Sequence, residues 1–455
     1  MGFLNEEYLL ESSTAVQLYD LIRDEPILDP HSHVDVQAVA QNAGWTDIWE
    51  VEGATDHYIW ELMRKRGVPE AKITGEASNR EKWMALAEAF PDFAGNPTYE
   101  WLHLDLKRRF GIDRPISAET AEDIWEKTKA ALDAPEMRQQ PLLKDMNVSV
   151  VSSTDDPTSD LHYHQQLAKE LDDVTVRPTW RPDNAMKIDE SGWADYLEDF
   201  GTATGTDISE LSGFHAALET SHEYFNNHGC RASDHGLREV ITKPVDEQRA
   251  ADIYQRAYAG EDLSDDDVAD FQAYVLDIIG ELNSQKNWVT QFHIGPVRDY
   301  RNSLYDRLGA DAGGDISTQN IDLADNLQYF LNQYDEDLEV VLYTLDPTHY
   351  PTVATISRAF PNVSVGAAWW FNDSPYGMSD QLEYVGTVDL LANYGGMVSD
   401  SRKLMSFDSR FEMFRRSLAN TVGSMVERGQ IPEAVAEQLV QQVAYDRPAE
   451  LWGMA

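Results

Sequence analysis

The chain has 455 residues, 42% of them hydrophobic and with twelve Trp and fifteen Phe, enough apolar bulk for a large interior. Asp and Glu number 80 against 36 Lys and Arg, and the resulting net charge of −44 repels nucleic acid and anionic membrane, which argues against both as partners. Length permits about three domains of roughly 150 residues or one barrel with insertions; the single cysteine, Cys230, rules out an internal disulfide.

In chain order, residues 7–24 place Leu9, Leu10, Val16, Leu18, Tyr19, Leu21 and Ile22 on one broad stripe, predicting a helix. Pro26-Ile27-Leu28 then runs into Asp29-Pro30-His31-Ser32-His33. Alternate side chains of an extended chain share a face, so His31 and His33 can point together from a strand end and grip one metal ion. Two surface histidines beside a turn at Pro30 are the plain alternative. Residues 34–145 read as a helical insertion with a core of Trp45, Trp49, Trp60, Trp83, Trp101 and Phe110 among others.

Short β-rich runs recur after it: 148–153, 174–176, a weaker one at 229–232, 288–292, 338–343, 363–368 and 396–398. Helical patterns, such as 321–334 and 351–359, separate most of them, and 407–444 reads as C-terminal helices. With the first strand this makes about eight strands alternating with helices. The expected fold is α/β, a parallel (β/α)8 barrel of the TIM type. Its expected divisions are 1–33 (first helix and strand), 34–145 (helical insertion) and 146–455 (the rest of the barrel with the C-terminal helices). A doubly wound open sheet is the alternative, but no Gly-rich phosphate loop supports it.

Nearly every strand ends in polar, ionisable or aromatic residues, at the face where barrels place their chemistry. In a closed barrel the first and last strands are neighbours, so His31, His33 and Asp400 can meet at one mouth as a mononuclear divalent site. His293, at the end of the fifth strand, is a candidate fourth ligand or a hydrogen-bond partner of substrate. His235 and His349 read as supporting or loop residues, and His162-Tyr163-His164 as a surface stretch of helix.

Ten segments in order resemble the uronate isomerases of the amidohydrolase superfamily. They are Asp29-Pro30-His31-Ser32-His33, Asp56-His57-Tyr58, Met63-Arg64-Lys65-Arg66-Gly67-Val68, the run from His103 to Ile112, Thr154-Asp155-Asp156-Pro157, Trp180-Arg181-Pro182-Asp183, Ser233-Asp234-His235-Gly236, His293-Ile294-Gly295-Pro296-Val297-Arg298, Ala368-Trp369-Trp370-Phe371 and Ser399-Asp400-Ser401-Arg402. The resemblance implies an aldose–ketose isomerase of uronate and pectin-sugar catabolism, interconverting D-glucuronate with D-fructuronate and D-galacturonate with D-tagaturonate. It implies one divalent metal, usually zinc, at His31, His33 and Asp400. It also implies proton abstraction from C2 involving Asp400, and proton movement between the C1 and C2 oxygens through a cis-enediol, assisted by Tyr58 and Arg402. Those roles suit the chemistry, which needs a base, a stabilised oxyanion and a dry site. Arg181 and Arg298 are candidates for the sugar carboxylate, since arginine pairs well with carboxylates; ion pairs with nearby acids are the alternative. Asp234 and His293 are further candidate sugar contacts, and Trp369 and Trp370 either wall the site or pack the core.

Two segments depart from the family pattern. Arg298-Asp299-Tyr300 stands where Arg-Asn-Asn is common, and Ser399 where Thr is common. Two other readings stay open: a metal-dependent hydrolase on the same barrel, which the absence of a lysine at Ser233-Asp234-His235 disfavours, and a non-catalytic sugar-acid binder. The first residues lack a basic region followed by an apolar core, and no run of about 18 apolar residues occurs, so the expected setting is cytoplasmic. The 12 Lys against 24 Arg on so acidic a chain point to a salt-accumulating, halophilic source. A uronate is the expected small-molecule partner; a homo-oligomer is left open.

Overall fold

The computed structural model describes residues 3–454. Strands β1 (Ile27–Asp29), β2 (Val148–Ser152) and β3 (Thr175–Arg177) form one parallel sheet, and β4 (Ala232–Leu237), β5 (Val289–Ile294), β6 (Val340–Thr344) and β7 (Val363–Val365) a second. Trp180 joins them, bridging Asp155 on one side and Ser233 on the other. The circle closes through residues 395–401. Gly395 N–H donates to Val365 O (2.8 Å), Asp400 N–H to His31 O (3.2 Å) and His33 N–H to Ser401 O (3.1 Å). The fold is therefore the expected (β/α)8 barrel, with β1 beside its last segment.

Two strand expectations need correction. Residues 396–398 make no regular ladder, because Gly396 at φ 90° and Asp400 at φ 48° break the extended run. The fourth strand lies later than 229–232 and contains Ser233-Asp234-His235-Gly236 itself. Its alternation explains the residue types. Ser233 and His235 face the helix layer, where Asn283 Nδ2 donates to Ser233 Oγ at 2.7 Å. Asp234 and Gly236 face the barrel interior.

The first helix is shorter than its apolar stripe, Ser13–Ile22, because the Ser12 hydroxyl accepts the Ala15 N–H and caps it there. Between β1 and β2 the chain is helical throughout, including His57–Lys65, Asn79–Ala89 and Pro97–Phe110, packed around the buried Trp49, Trp83 and Trp101. Side-chain caps at Asp47, Asp56, Ser78 and Asn96 start these helices, and Gly111, at φ 63°, ends the longest. The C-terminal helix Phe407–Glu427 runs beside the first helix and buries Arg410 and Arg416. His164 is not a surface residue: it is buried, with Nε2 2.8 Å from Ser153 Oγ at the end of β2. No described helix is long and apolar enough to cross a membrane.

Candidate active site

Asp29 joins the two segments that carry the expected ligands. Its Oδ1 accepts the His31 N–H at 3.4 Å and the Ser399 N–H at 3.0 Å. Burial pushes its carboxyl up to about 6 even with Ser399 pulling it back. On the far side of this staple Asp400 adopts φ 48°, a left-handed conformation that Asp tolerates better than most residues. The sharp turn thus falls at the residue whose carboxylate faces both imidazoles. Asp400 Oδ1 lies 3.3 Å from His31 Nε2 and 3.2 Å from His33 Nε2, while Oδ2 accepts the Trp369 indole N–H at 2.8 Å.

The donor atoms of His31, His33 and Asp400 all lie within 4.8 Å of one another. The protonation of Asp400 and His33 suits a metal. Burial alone would raise the Asp400 carboxyl, but hydrogen bonds and charge from His31 and His33 outweigh it and hold it well below the usual carboxylate range. Burial lowers His33 and favours the neutral, ligating imidazole. Burial also disfavours a charged His31, but the Asp234 and Asp400 carboxylates overcome this and raise it. Two imidazoles and an ionised carboxylate fit zinc or a neighbouring divalent ion.

A second donor group, His31, Asp234 and His293, lies beneath the first. It is already internally paired. Asp234 Oδ1 is 2.6 Å from His293 Nδ1, and Oδ2 is 3.1 Å from Arg181 Nη1 and 3.8 Å from His31 Nδ1. Burial and the nearby His31 hold His293 at about 4, so it is neutral and gives its Nδ1–H to Asp234. Its buried Nε2 has no protein partner. The ring stacks on Tyr343, with centroids 4.2 Å apart.

An open cavity of about 950 Å³ sits above these groups. Nine of the eleven expected site residues line it: His31, His33, Arg181, His293, Arg298, Trp369, Trp370, Asp400 and Arg402. Arg181 is braced by Asp183 (2.9 Å) and Asp234, and a Cβ at position 236 would collide with its guanidinium, which is why glycine stands there. Arg298 is exposed and Arg402 part-exposed, and among the described residues their acidic partner is Asp311, at 3.9 and 3.7 Å. Trp370 takes φ 54°, unusual for a bulky residue, and its ring lies 5.5 Å from the Arg298 guanidinium.

Asp234 is fully buried behind the cavity, and Tyr58 is part-buried beside His57 of the cavity wall. Asp234, expected to touch the sugar, spends its oxygens on Arg181 and His293. The Tyr58 hydroxyl donates to Asp373 Oδ2 at 3.3 Å, and burial and the Asp373 charge push it well above the usual phenol range. Its neighbour His57 lines the wall instead and stacks on the Tyr58 ring.

His57, Asp183, Lys403, Asp373 and Arg410 are site residues that the sequence expectation lacks. His57 and Asp183 lie in the segments Asp56-His57-Tyr58 and Trp180-Arg181-Pro182-Asp183, where the Arg-Xaa-Asp spacing is a usable signal. Lys403 pairs with Asp56 (2.9 Å) and Glu52 (3.1 Å), and Arg410 with Asp373 (2.8 Å), across separations that leave no local trace.

A family model described as glucuronate isomerase matches residues 1–452. The uronate isomerase of Thermotoga sp. (strain RQ2) is 56% identical over 450 residues, covering 99% of this chain and 99% of its own. That of Shouchella clausii (strain KSM-K16) is 38% identical over 457 residues, covering 98% and 96%. Among solved structures, the uronate isomerase of Thermotoga maritima superimposes with a TM-score of 0.98 at 56% identity, covering 99% of this chain and 100% of that one. These matches extend through the barrel, its helical insertion and the C-terminal helices alike, and the chain belongs to the glucuronate (uronate) isomerase family of enzymes.

Proposed function

We propose that this isomerase interconverts D-glucuronate with D-fructuronate and D-galacturonate with D-tagaturonate, by proton transfer through a cis-enediol. The observation that carries the reading is one cavity holding Asp400 against two imidazoles, with Arg402 two residues away. His31, His33 and Asp400 would hold one divalent ion, zinc by their donor types, which would polarise the carboxylate and adjacent hydroxyl of the bound sugar.

The chain's own residues do the rest. Arg298 and Arg402, whose acidic contact among the described residues is the distant Asp311, bind the anionic substrate; Arg181 supports them from the wall. Trp369 and Trp370 exclude water from one side. Asp400 acts in removing the proton from C2, with its other oxygen held by the Trp369 indole. A proton reaches the C1 oxygen as the enediol forms. Return of a proton to C1 and loss of one from the C2 oxygen complete the ketose. Tyr58 and Arg402 serve the movement between the two oxygens. The lone buried Cys230 agrees with a reducing cytoplasm, and the −44 charge with a salt-rich one.

The test is ketose formation from each uronate by purified protein of measured metal content. Chelation should abolish turnover and added zinc restore it. Metal-replete protein that isomerises neither sugar acid would overturn the reading.

A further inference from the structure

Tyr58 is held from two sides. Its backbone N–H is capped by Asp56 at 2.9 Å, and Asp56 is locked by the buried Lys403. Its hydroxyl is anchored separately, by Asp373, which follows Trp369-Trp370 after β7. Asp373 is 4% exposed and is gripped in turn by Arg410, 2% exposed, from the helix Phe407–Glu427. The same Arg410 Nη1 donates to the carbonyl of Ser399 at 3.2 Å, the residue directly before Asp400. The Arg410 guanidinium lies 3.9 Å from the Trp101 ring, which packs edge-on against Tyr58.

One guanidinium therefore touches the anchor of the Tyr58 hydroxyl and the backbone that carries Asp400. Tyr58 comes from the helical insertion and Asp400 from the closing segment of the barrel. Among the described residues, Asp373 is the hydrogen-bond partner that ties the phenol oxygen to the barrel. We infer that Asp373, backed by Arg410, is a positioning residue that fixes the Tyr58 hydroxyl relative to Asp400. Asp373 is buried away from the cavity lining and acts through Tyr58. The alternative is a buried ion pair that merely stabilises the junction between insertion and barrel.

This inference rests on the proton-relay role proposed for Tyr58, and the test separates the two. It is a double-mutant cycle of Tyr58→Phe, Asp373→Asn and the pair, with kcat and KM for D-glucuronate, melting temperature and metal content measured for each. A displaced catalytic group costs on the order of 10²-fold in rate. Asp373→Asn should lower kcat by about 10- to 100-fold, with KM changed less than about threefold and metal content unchanged. In the Tyr58→Phe background it should cost nothing more. Asp373→Asn leaves Arg410 buried without its counter-ion, so D373N/R410Q, which removes both charges, carries the same cycle if the single variant does not fold. A slow Tyr58→Phe on which the Asp373 change imposes a further, multiplicative loss overturns the positioning role and leaves the relay. Wild-type turnover by Tyr58→Phe overturns both. A lowered melting temperature with kcat intact in Asp373→Asn assigns the pair to stability alone and overturns the inference.

Discussion

Lys403→Met isolates the buried charge cluster beneath the site. Lys403 Nζ lies 2.9 Å from Asp56 and 3.1 Å from Glu52, and no side chain of the three is more than 3% exposed. Methionine keeps most of the stem and removes the ammonium, leaving two buried carboxylates without that cation. Breaking a buried pair from one side costs about 3–5 kcal/mol. With an unfolding entropy of about 2.1 cal/mol/K per residue, the 455-residue chain carries roughly 1 kcal/mol/K, so Tm should fall by about 3–5 °C. The pH dependence identifies the cause. Burial pushes Asp56 up, yet Lys403 overcomes it and holds the carboxyl below its ordinary value. In the wild type that stability is present above the unfolded pKa of about 3.9 and is lost as pH falls through the lower folded value. Burial already holds Glu52 above its ordinary value against the pull of Lys403; in the variant burial lifts Asp56 as well and Glu52 further, so the folded state takes up protons before the unfolded one does. The deficit should therefore shrink between about pH 7 and about pH 5. Calorimetric melting of both proteins across that range, at fixed salt, is the assay. A deficit that is absent, or that does not shrink in acid, refutes the charge argument.

Melting temperature and activity should both rise from low to molar KCl, because the −44 charge repels itself when unscreened; a flat Tm across the series would show the charge is tolerated otherwise. His103, His164 and His222 are held at about 4 by burial. The unfolded chain protonates first, near about 6.5, so each should remove on the order of 1.4 kcal/mol of stability per pH unit as pH falls toward about 4. His222→Gln should flatten that acid slope, and an unchanged slope in denaturant unfolding would count against the assignment.

The barrel was legible because its strand ends are chemically marked. His31 and His33 follow an apolar run and can share a face by alternation, and Asp400 follows the last strand-like run; because the first and last strands of a closed barrel are neighbours, the three residues could be placed at one mouth. That reasoning failed where the backbone leaves the extended region. Left-handed Asp400 and Gly396 cost the eighth segment its ladder, and no residue pattern announces a left-handed Asp. The fourth strand was misplaced because Ser233 and His235 are polar yet face helices, where Ser233 accepts from Asn283 and shares a hydrogen bond with His235. The Tyr58 hydroxyl could not be aimed from sequence at all. Its anchor lies 315 residues away, and the anchor's own partner 37 further on.

The staple between Asp29 and Ser399 spans 370 residues, and this orders events during synthesis. Both imidazoles leave the ribosome early, and the carboxylate they face is made near the end. A nascent chain carries His31 and His33 through most of its translation with their third partner not yet in existence. Helices of the insertion, built from local contacts, can form in that interval; the mouth of the barrel cannot. Assembly of the donor set is thus a late event, and a chain cut between Asp234 and Ser399 keeps both histidines without the carboxylate that faces the two of them.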